Sequence, residues 1–343
     1  MSFDRLRPLL FRLPPETAHG VAMGGLKAAQ GLGLGGLVSG KPDPLPVKAM
    51  GLEFPNPVGL SAGFDKNGDH VAQLFRLGFG FVEIGTVTPR PQAGNPRPRI
   101  FRIPEAQAVI NRLGFNNAGL AHLVQRVRGR HFDGVLGINI GKNKDTPNER
   151  ATEDYVLALR EVYAHADYVT VNVSSPNTQG LRDLQHGDAL RRLLDVLLDE
   201  RDALEQHHGV RRPLVLKIAP DLDEPALAEL VDILNQRRPD GVCATNTTID
   251  HGAVAALPHG EEAGGLSGAP LRERSTAILR QLTADLDDRI CLIGVGGIMT
   301  GEDAVDKVQA GARLVQFYTG FIYRGPALIA ECVEALRAAG GGR

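Results

Sequence analysis

Beyond Val47, short apolar runs recur along the chain, and most pairs are separated by enough residues for one helix. The strand candidates are Val58–Ser61, Phe81–Gly85, Val135–Ile140, Tyr168–Val173, Leu214–Ile218, Gly241–Thr245, Cys291–Val295 and Arg313–Phe317. They are apolar with little polar alternation, as expected of strands covered on both faces of a parallel sheet. Helical periodicity follows many of them. It is clearest from Asp188, which reads as an N-cap, and recurs over Glu224–Arg237 and Gly301–Ala310. Eight such strands with helical crossovers predict an α/β fold of the (β/α)8 TIM-barrel type, with a doubly wound sheet as the competing arrangement. The stretch from Thr86 to Gly134 exceeds a simple crossover, so an insertion over the barrel mouth is expected.

The first 46 residues differ. Phe3, Leu6, Leu9, Leu10 and Leu13 share one face of a short helix, and Pro14-Pro15 breaks it. Ala18, Val21, Ala22, Gly25, Leu26 and Ala29 then recur at helical spacing. Lys41 to Pro46 reads as a stiff linker. The segment is predicted to be an amphipathic helical hairpin (1–46) ahead of a barrel domain (47–343). A basic hairpin of this kind either lies on an anionic membrane or packs on its own protein.

A formal charge of −2 argues against general nucleic-acid binding. Cys243, Cys291 and Cys332 lie far apart and form no CxxC pair, which fits a reduced compartment. No apolar run approaches the ~20 residues that span a bilayer. Met1 to Arg12 is broken by charges and Pro8, so no signal-peptide core is expected. The histidines, including His207-His208, have no metal-ligand spacing, and no metal is expected. Gly31 to Gly36 matches GxGxxG by letter, but it lacks a preceding strand and a following helix, so it reads as a linker.

Active sites of (β/α)8 barrels form at the C-terminal ends of the strands. There the chain carries Ser61 to Gly68, Thr86, Asn139, Asn172, Lys217, Thr245-Asn246-Thr247, Gly294 to Ile298 and Tyr318-Thr319-Gly320. Asn111 to Asn117 lies in the insertion, and Asn172 to Thr178 forms a polar turn after the fourth strand. One asparagine at a strand end is an ordinary turn residue. Several together suit a ring bearing alternating C=O and N–H groups, because each amide both donates and accepts. Lys217, near the end of a buried strand, calls for an anionic or electron-rich partner, whether a ligand or a core carboxylate. Gly296-Gly297 and Thr319-Gly320 suit a phosphate cradle.

The runs SAGFDKNGD, EIGTVTPRPQAGNPRPRIFR, NRLGFNN, GINIGKNK, VNVSSPNT, LKIAPD, TNTT, GGLSG, IGVGGI and QFYTGFIYRGP occur in this order. Together they resemble the dihydroorotate dehydrogenases, and specifically the quinone-dependent class 2. The resemblance implies a flavin-containing barrel that oxidises dihydroorotate to orotate in pyrimidine synthesis. Ser175 stands where class 1 carries cysteine, and class 1 lacks the N-terminal helical extension. The resemblance therefore favours class 2 over a cytosolic, class 1-like enzyme using fumarate or NAD. It also implies that the hairpin leads a membrane quinone, ubiquinone or menaquinone, to the flavin. With neither a targeting segment nor a spanning helix ahead of the hairpin, the bacterial form is expected, peripheral on the cytoplasmic face of the inner membrane.

By motif match, Ser175 is implied as the general base. FMN is implied against Ala62, Gly63, Phe64, Asp65, Lys66, Thr86, Asn139, Asn172, Lys217, Thr245, Gly268, Gly297, Tyr318 and Thr319. The substrate is implied against Lys66, Asn111, Arg112, Leu113, Gly114, Phe115, Asn172, Asn177, Asn246 and Thr247. Phe64 stands where many relatives carry leucine, and Thr319 where many carry serine. Both keep the general shape and chemistry.

Overall fold

A computed structural model describes residues 3–33 and 41–340. The chain opens with helices α1 (Phe3–Phe11) and α2 (Pro15–Gly31), then a β-hairpin of β1 (Val47–Ala49) and β2 (Leu52–Phe54). The first barrel strand is β3 (Val58–Leu60), followed by α3 (Val71–Phe75) and β4 (Phe81–Val87). An excursion, β5 (Ile100–Ile103) and β6 (Ala108–Asn111), precedes α4 (Leu120–Val127). Strand and helix then alternate through β7 (Val135–Ile140), α5 (Ala151–Val162), β8 (Tyr168–Asn172), α6 (Gly187–His208), β9 (Leu214–Ile218), α7 (Glu224–Arg237) and β10 (Gly241–Ala244). After β11 (Gly265–Gly268) come α8 (Arg272–Asp285), β12 (Cys291–Val295), α9 (Gly301–Gln309), β13 (Leu314–Phe317), α10 (Thr319–Arg324) and α11 (Ala327–Ala338).

Eight parallel strands close in the order β10-β12-β13-β3-β4-β7-β8-β9, so this is a (β/α)8 barrel and not a doubly wound sheet. Strand alternation sends Val82, Ile84, Leu136, Ile138, Val169 and Val171 outward to the helices. It sends Phe81, Val135, Tyr168, Val215, Cys243, Ile293 and Leu314 inward to an apolar plug. Gly137 is needed there, because a Cβ at that position would lie 2.2 Å from the Tyr168 ring. Two residues further along these strands the interior turns polar, with Glu83, Thr170, Lys217 and Gln316 all buried.

The hairpin β1–β2 seals the N-terminal end, with Phe54 edge-on to Phe81 at 5.4 Å. Sequence periodicity did not reveal it, because three-residue strands are too short to show a period. The expected insertion is a three-stranded antiparallel sheet, β11-β6-β5. Its third strand comes from the crossover after β10, so two distant segments roof the mouth together. Asp188 lies in the first turn of α6 and does not cap it; the helix starts one residue earlier, after His186.

The N-terminal helices dock on one side only. Glu16 pairs with the buried Arg99 at 2.8 Å, Gln30 Nε2 donates to the Gln73 carbonyl at 3.1 Å, and Phe11 meets the Tyr323 ring at 5.3 Å. The Arg102 guanidinium stacks on Phe11 and donates to the carbonyls of Leu10, Phe11 and Leu13. Ala18 and Met23 are the buried residues of α2, whereas Val21, Ala22 and Gly25, which share the helical spacing of Ala18, face outward. Both sides of α2 are apolar, so spacing could not tell which side packs. Leu6, Leu9, Val21 and Leu32 are exposed, the last three by more than half. The expected linker, Lys41 to Pro46, has no regular structure, and Leu34 to Gly36 of the glycine-rich run lie outside the described residues.

Candidate active site

The polar strand ends converge on one cleft of about 940 Å³ at the C-terminal mouth of the barrel. Its walls include Ala62, Gly63, Lys66, Thr86, Asn111, Leu113, Gly114, Phe115, Asn172, Ser175, Asn177, Lys217, Thr245, Asn246, Thr247, Gly268, Gly297, Tyr318 and Thr319, all expected from the sequence. Four expected residues do not line it. Phe64 turns toward the hairpin, its ring 4.7 Å from His19 and 5.2 Å from Phe321. Asp65 accepts the N–H groups of Asp69 and His70 and holds its own loop, and burial raises its pKa. Arg112 pairs with Glu262 at 2.7 Å and stacks on Phe101. Asn139 lies beneath the wall, bonded to Thr86 and Glu83. Ser61, Ser267, Leu271, Val295, Gly296, Ile298, Phe317 and Gly320 complete the lining. Ser61 follows directly on β3 and was legible as a strand end. Ser267 lies within the GGLSG run beside Gly268 but was not singled out, and Leu271 belongs to the turn after the roof sheet.

One end of the cleft is rich in backbone N–H groups, supplied by Gly268, the Gly296-Gly297 turn and the start of α10 at Thr319-Gly320. Gly297 has φ +76°, and a Cβ there would lie 2.3 Å from Arg272 Cα, so only glycine allows this turn against α8. Thr319 Oγ1 and Ser267 Oγ are 2.8 Å apart on the same wall. This end suits a phosphate.

The floor carries a buried cation. Lys217 is 5% exposed, and its Nζ bonds Ser61 Oγ at 3.1 Å. Among the described residues it has no carboxylate partner, so the core salt bridge is not there. Lys66 Nζ donates to the Gly63 carbonyl at 2.6 Å, and burial, with Arg99 nearby, pulls its pKa down to about 8. The buried hydroxyl of Thr247 has no hydrogen-bond partner among the described residues.

The Ser175 loop is held from both sides. Ser175 Oγ accepts the Asn177 N–H at 3.2 Å, and Asn177 Nδ2 donates to the Asn111 carbonyl at 3.1 Å. Arg182 ties this loop to the loop after β10, donating to the carbonyls of Ser174 and Thr247 while pairing with Asp221. Sequence reasoning missed Arg182, because its partners come from three separate loops.

The donor set fits FMN: N–H groups for a phosphate, and an unpaired cation and amides for a polar ring, all lining one cleft. Among the described residues, no group of three or more His, Cys, Asp or Glu side chains gathers in metal-binding geometry, and no helix is long and apolar enough to cross a membrane.

The sequence profile described as "Dihydroorotate dehydrogenase" matches residues 44–339. The chain belongs to the dihydroorotate dehydrogenase family. It is 59% identical to "Dihydroorotate dehydrogenase (quinone)" of Marinobacter nauticus, with 98% of each chain covered. It is 57% identical to the protein of the same name from Azotobacter vinelandii, over 98% of this chain and 97% of that one. Among solved structures, the crystal structure of the family member from Eimeria tenella in complex with ferulenol superposes with a TM-score of 0.87. That pair is 39% identical, over 95% of this chain and 92% of the other. The matches to the named relatives run through the N-terminal helices as well as the barrel.

Proposed function

We propose that this chain oxidises dihydroorotate to orotate and passes the electrons to a quinone, a step of pyrimidine biosynthesis. The observation that carries this reading is the near full-length match to quinone-type members of the family. FMN is the proposed cofactor; when bound it supplies the hydride acceptor that no side chain offers. Backbone N–H groups of Gly268, Gly297 and Thr319 would hold its phosphate. Lys217, Asn172, Thr86, Thr245 and the Ala62–Lys66 loop would hold its ring, with Asn139 braced behind Thr86.

Dihydroorotate would lie against Lys66, the Asn111–Phe115 segment, Asn172, Asn177, Asn246 and Thr247. The Lys66 ammonium balances its carboxylate, and the amides read its ring. Ser175 takes the C5 proton. A hydroxyl is a weak base and needs an onward path for that proton. Two features support one here: Thr178 Oγ1 is buried without a partner three residues on, and the Phe115 ring closes the same wall.

Residues 1–46 would form the quinone-access unit and residues 47–343 the catalytic barrel. Two observations support this division. His19 contacts Phe64, and Phe64 contacts Tyr318 at 5.8 Å, so side chains run unbroken from the inner face of the hairpin to the cleft wall. On the outer face, Leu6, Leu9, Val21 and Leu32 are exposed, which suits peripheral contact with the cytoplasmic face of a bacterial inner membrane.

The test is anaerobic mixing of the yellow protein with dihydroorotate, followed by electron acceptors. Flavin absorbance should bleach, then return with ubiquinone or menaquinone analogues. Return only with fumarate or NAD+ would replace the quinone reading. A colourless folded protein that cannot be reconstituted with FMN would end the cofactor assignment.

A further inference from the structure

A buried carboxylate that touches nothing in the cleft sets the polarity of the hydrogen bonds that reach it. Glu83, on β4, is fully buried and has no ion-pair partner among the described residues. Its Oε1 accepts Asn139 Nδ2 at 2.8 Å. Its Oε2 accepts Tyr168 OH, Thr170 Oγ1 and Gln316 Nε2, each at 3.0 Å. In all four bonds Glu83 is the acceptor. Asn139 must therefore turn its NH2 toward Glu83 and its carbonyl oxygen toward Thr86.

The consequence propagates upward. Thr86 Oγ1 donates to Asn139 Oδ1 at 2.6 Å, so its lone pairs are left to accept Asn172 Nδ2 at 3.0 Å. With its NH2 so engaged, Asn172 points Oδ1 at Ser174, accepting the backbone N–H at 3.2 Å and the hydroxyl at 3.1 Å. The Ser174 hydroxyl, having donated, accepts Asn246 Nδ2 at 3.0 Å. Local backbone donors agree with this sense, since the Ser174 N–H donates to Asn172 Oδ1 and the Thr247 N–H donates to Asn246 Oδ1 at 2.8 Å. Two cleft residues, Asn172 and Asn246, stand at its upper end.

We infer that Glu83 is a positioning residue for dihydroorotate: as an acceptor beneath the cleft it holds, through Asn139 and Thr86, the orientation in which the Asn172 amide meets the substrate ring. The inference rests on the substrate reading given above and adds to it a residue outside the cleft.

Glu83→Gln tests it with little change of shape. The best orientation of the new amide keeps an oxygen at the three-donor end and places NH2 against Asn139. The Asn139 amide then flips, and either the Thr86 hydroxyl loses its acceptor or it donates to Asn172, whose NH2 would then face the Ser174 N–H. Titrating the FMN-loaded variant with orotate, read by the flavin absorbance shift, should show binding weakened by about tenfold to a hundredfold, the scale of a buried hydrogen bond left unmade. KM for dihydroorotate should rise in parallel while FMN stays bound. Thr170→Val removes one donor to Glu83 without reversing anything; it should lower Tm yet leave orotate affinity within about twofold. A merely structural role predicts that both variants lower Tm and neither moves orotate affinity.

The exchange Glu83→Gln with Asn139→Asp restores an acceptor-only group facing Thr86, and orotate affinity should recover. This pair also serves where Glu83→Gln alone does not fold. Wild-type orotate affinity in folded, FMN-loaded Glu83→Gln overturns the inference, and so does a folded pair that binds orotate no better than Glu83→Gln. Failure of the wild-type flavin to bleach with dihydroorotate would instead overturn the proposed function, and the two failures are told apart by that measurement.

Discussion

Replacing Ser175 by alanine should separate proton transfer from binding. Ser175 is 6% exposed, and its Oγ makes a single hydrogen bond, accepting the Asn177 N–H at 3.2 Å. Losing one neutral bond of that kind costs about 1 kcal/mol, a factor of about five in the population of the ordered loop. The loop keeps its other ties, from Asn177 to Asn111 and from Arg182 to Ser174. Removing a positioned proton acceptor costs far more, about 10²–10⁴ in rate, or roughly 3–5 kcal/mol of barrier. The chemical loss should therefore exceed the structural one by about 2 kcal/mol or more. Ser175→Ala should retain FMN, bind orotate within about fivefold of wild type, and be reduced by dihydroorotate about 10²–10⁴ times more slowly. Stopped-flow bleaching under anaerobic conditions measures that rate directly. Bleaching within tenfold of wild type would refute Ser175 as the base. A defect confined to KM would mean that the loop positions substrate and takes no proton.

Lys217→Met should weaken FMN binding by about tenfold or more while leaving the Tm of the flavin-free protein unchanged or raised, because a buried cation without a carboxylate partner is removed. A lower Tm without loss of flavin affinity would make Lys217 structural. Deleting residues 1–46 should spare bleaching by dihydroorotate yet slow reoxidation by long-chain quinones; unchanged reoxidation would give the hairpin another job. Lys66 carries a pH signature. Below pH about 8 it is protonated both folded and unfolded, so it adds no pH dependence there. Between about 8 and 10.5 the unfolded chain holds a proton that the folded protein has shed, so stability should rise with pH across that window. Orotate affinity should run the other way, falling above pH 8 by up to tenfold per unit, and Lys66→Met should abolish that slope in a binding titration.

The barrel was legible because its strands are covered on both faces. Phe81–Val87, Tyr168–Asn172 and Leu214–Ile218 read as mainly apolar runs broken by one or two polar residues each, as strands covered on both faces require. The three-residue strands β1 and β2 carry no such signal, and the side of α2 that packs was ambiguous because both sides are apolar. Among site residues, the motifs brought Phe64, Asp65 and Arg112 along with their neighbours. The structure turns those three side chains to the hairpin, to their own loop and to Glu262. A motif records which residues travel together along the chain, not which way each side chain points.

Residue order alone determined the alternation of strands and helices, the polar strand ends and the kind of chemistry those ends can do, since periodicity and side-chain type are local properties; closure into a barrel, and not a doubly wound sheet, came from the tertiary structure. Only the folded chain decided that Lys217 has no core carboxylate partner among the described residues and that Arg182 clamps two loops. It also decided that Glu83 sits where three other strands deliver four donors to one carboxylate. Those facts depend on distances between segments dozens to hundreds of residues apart, and such distances exist only once the barrel has closed.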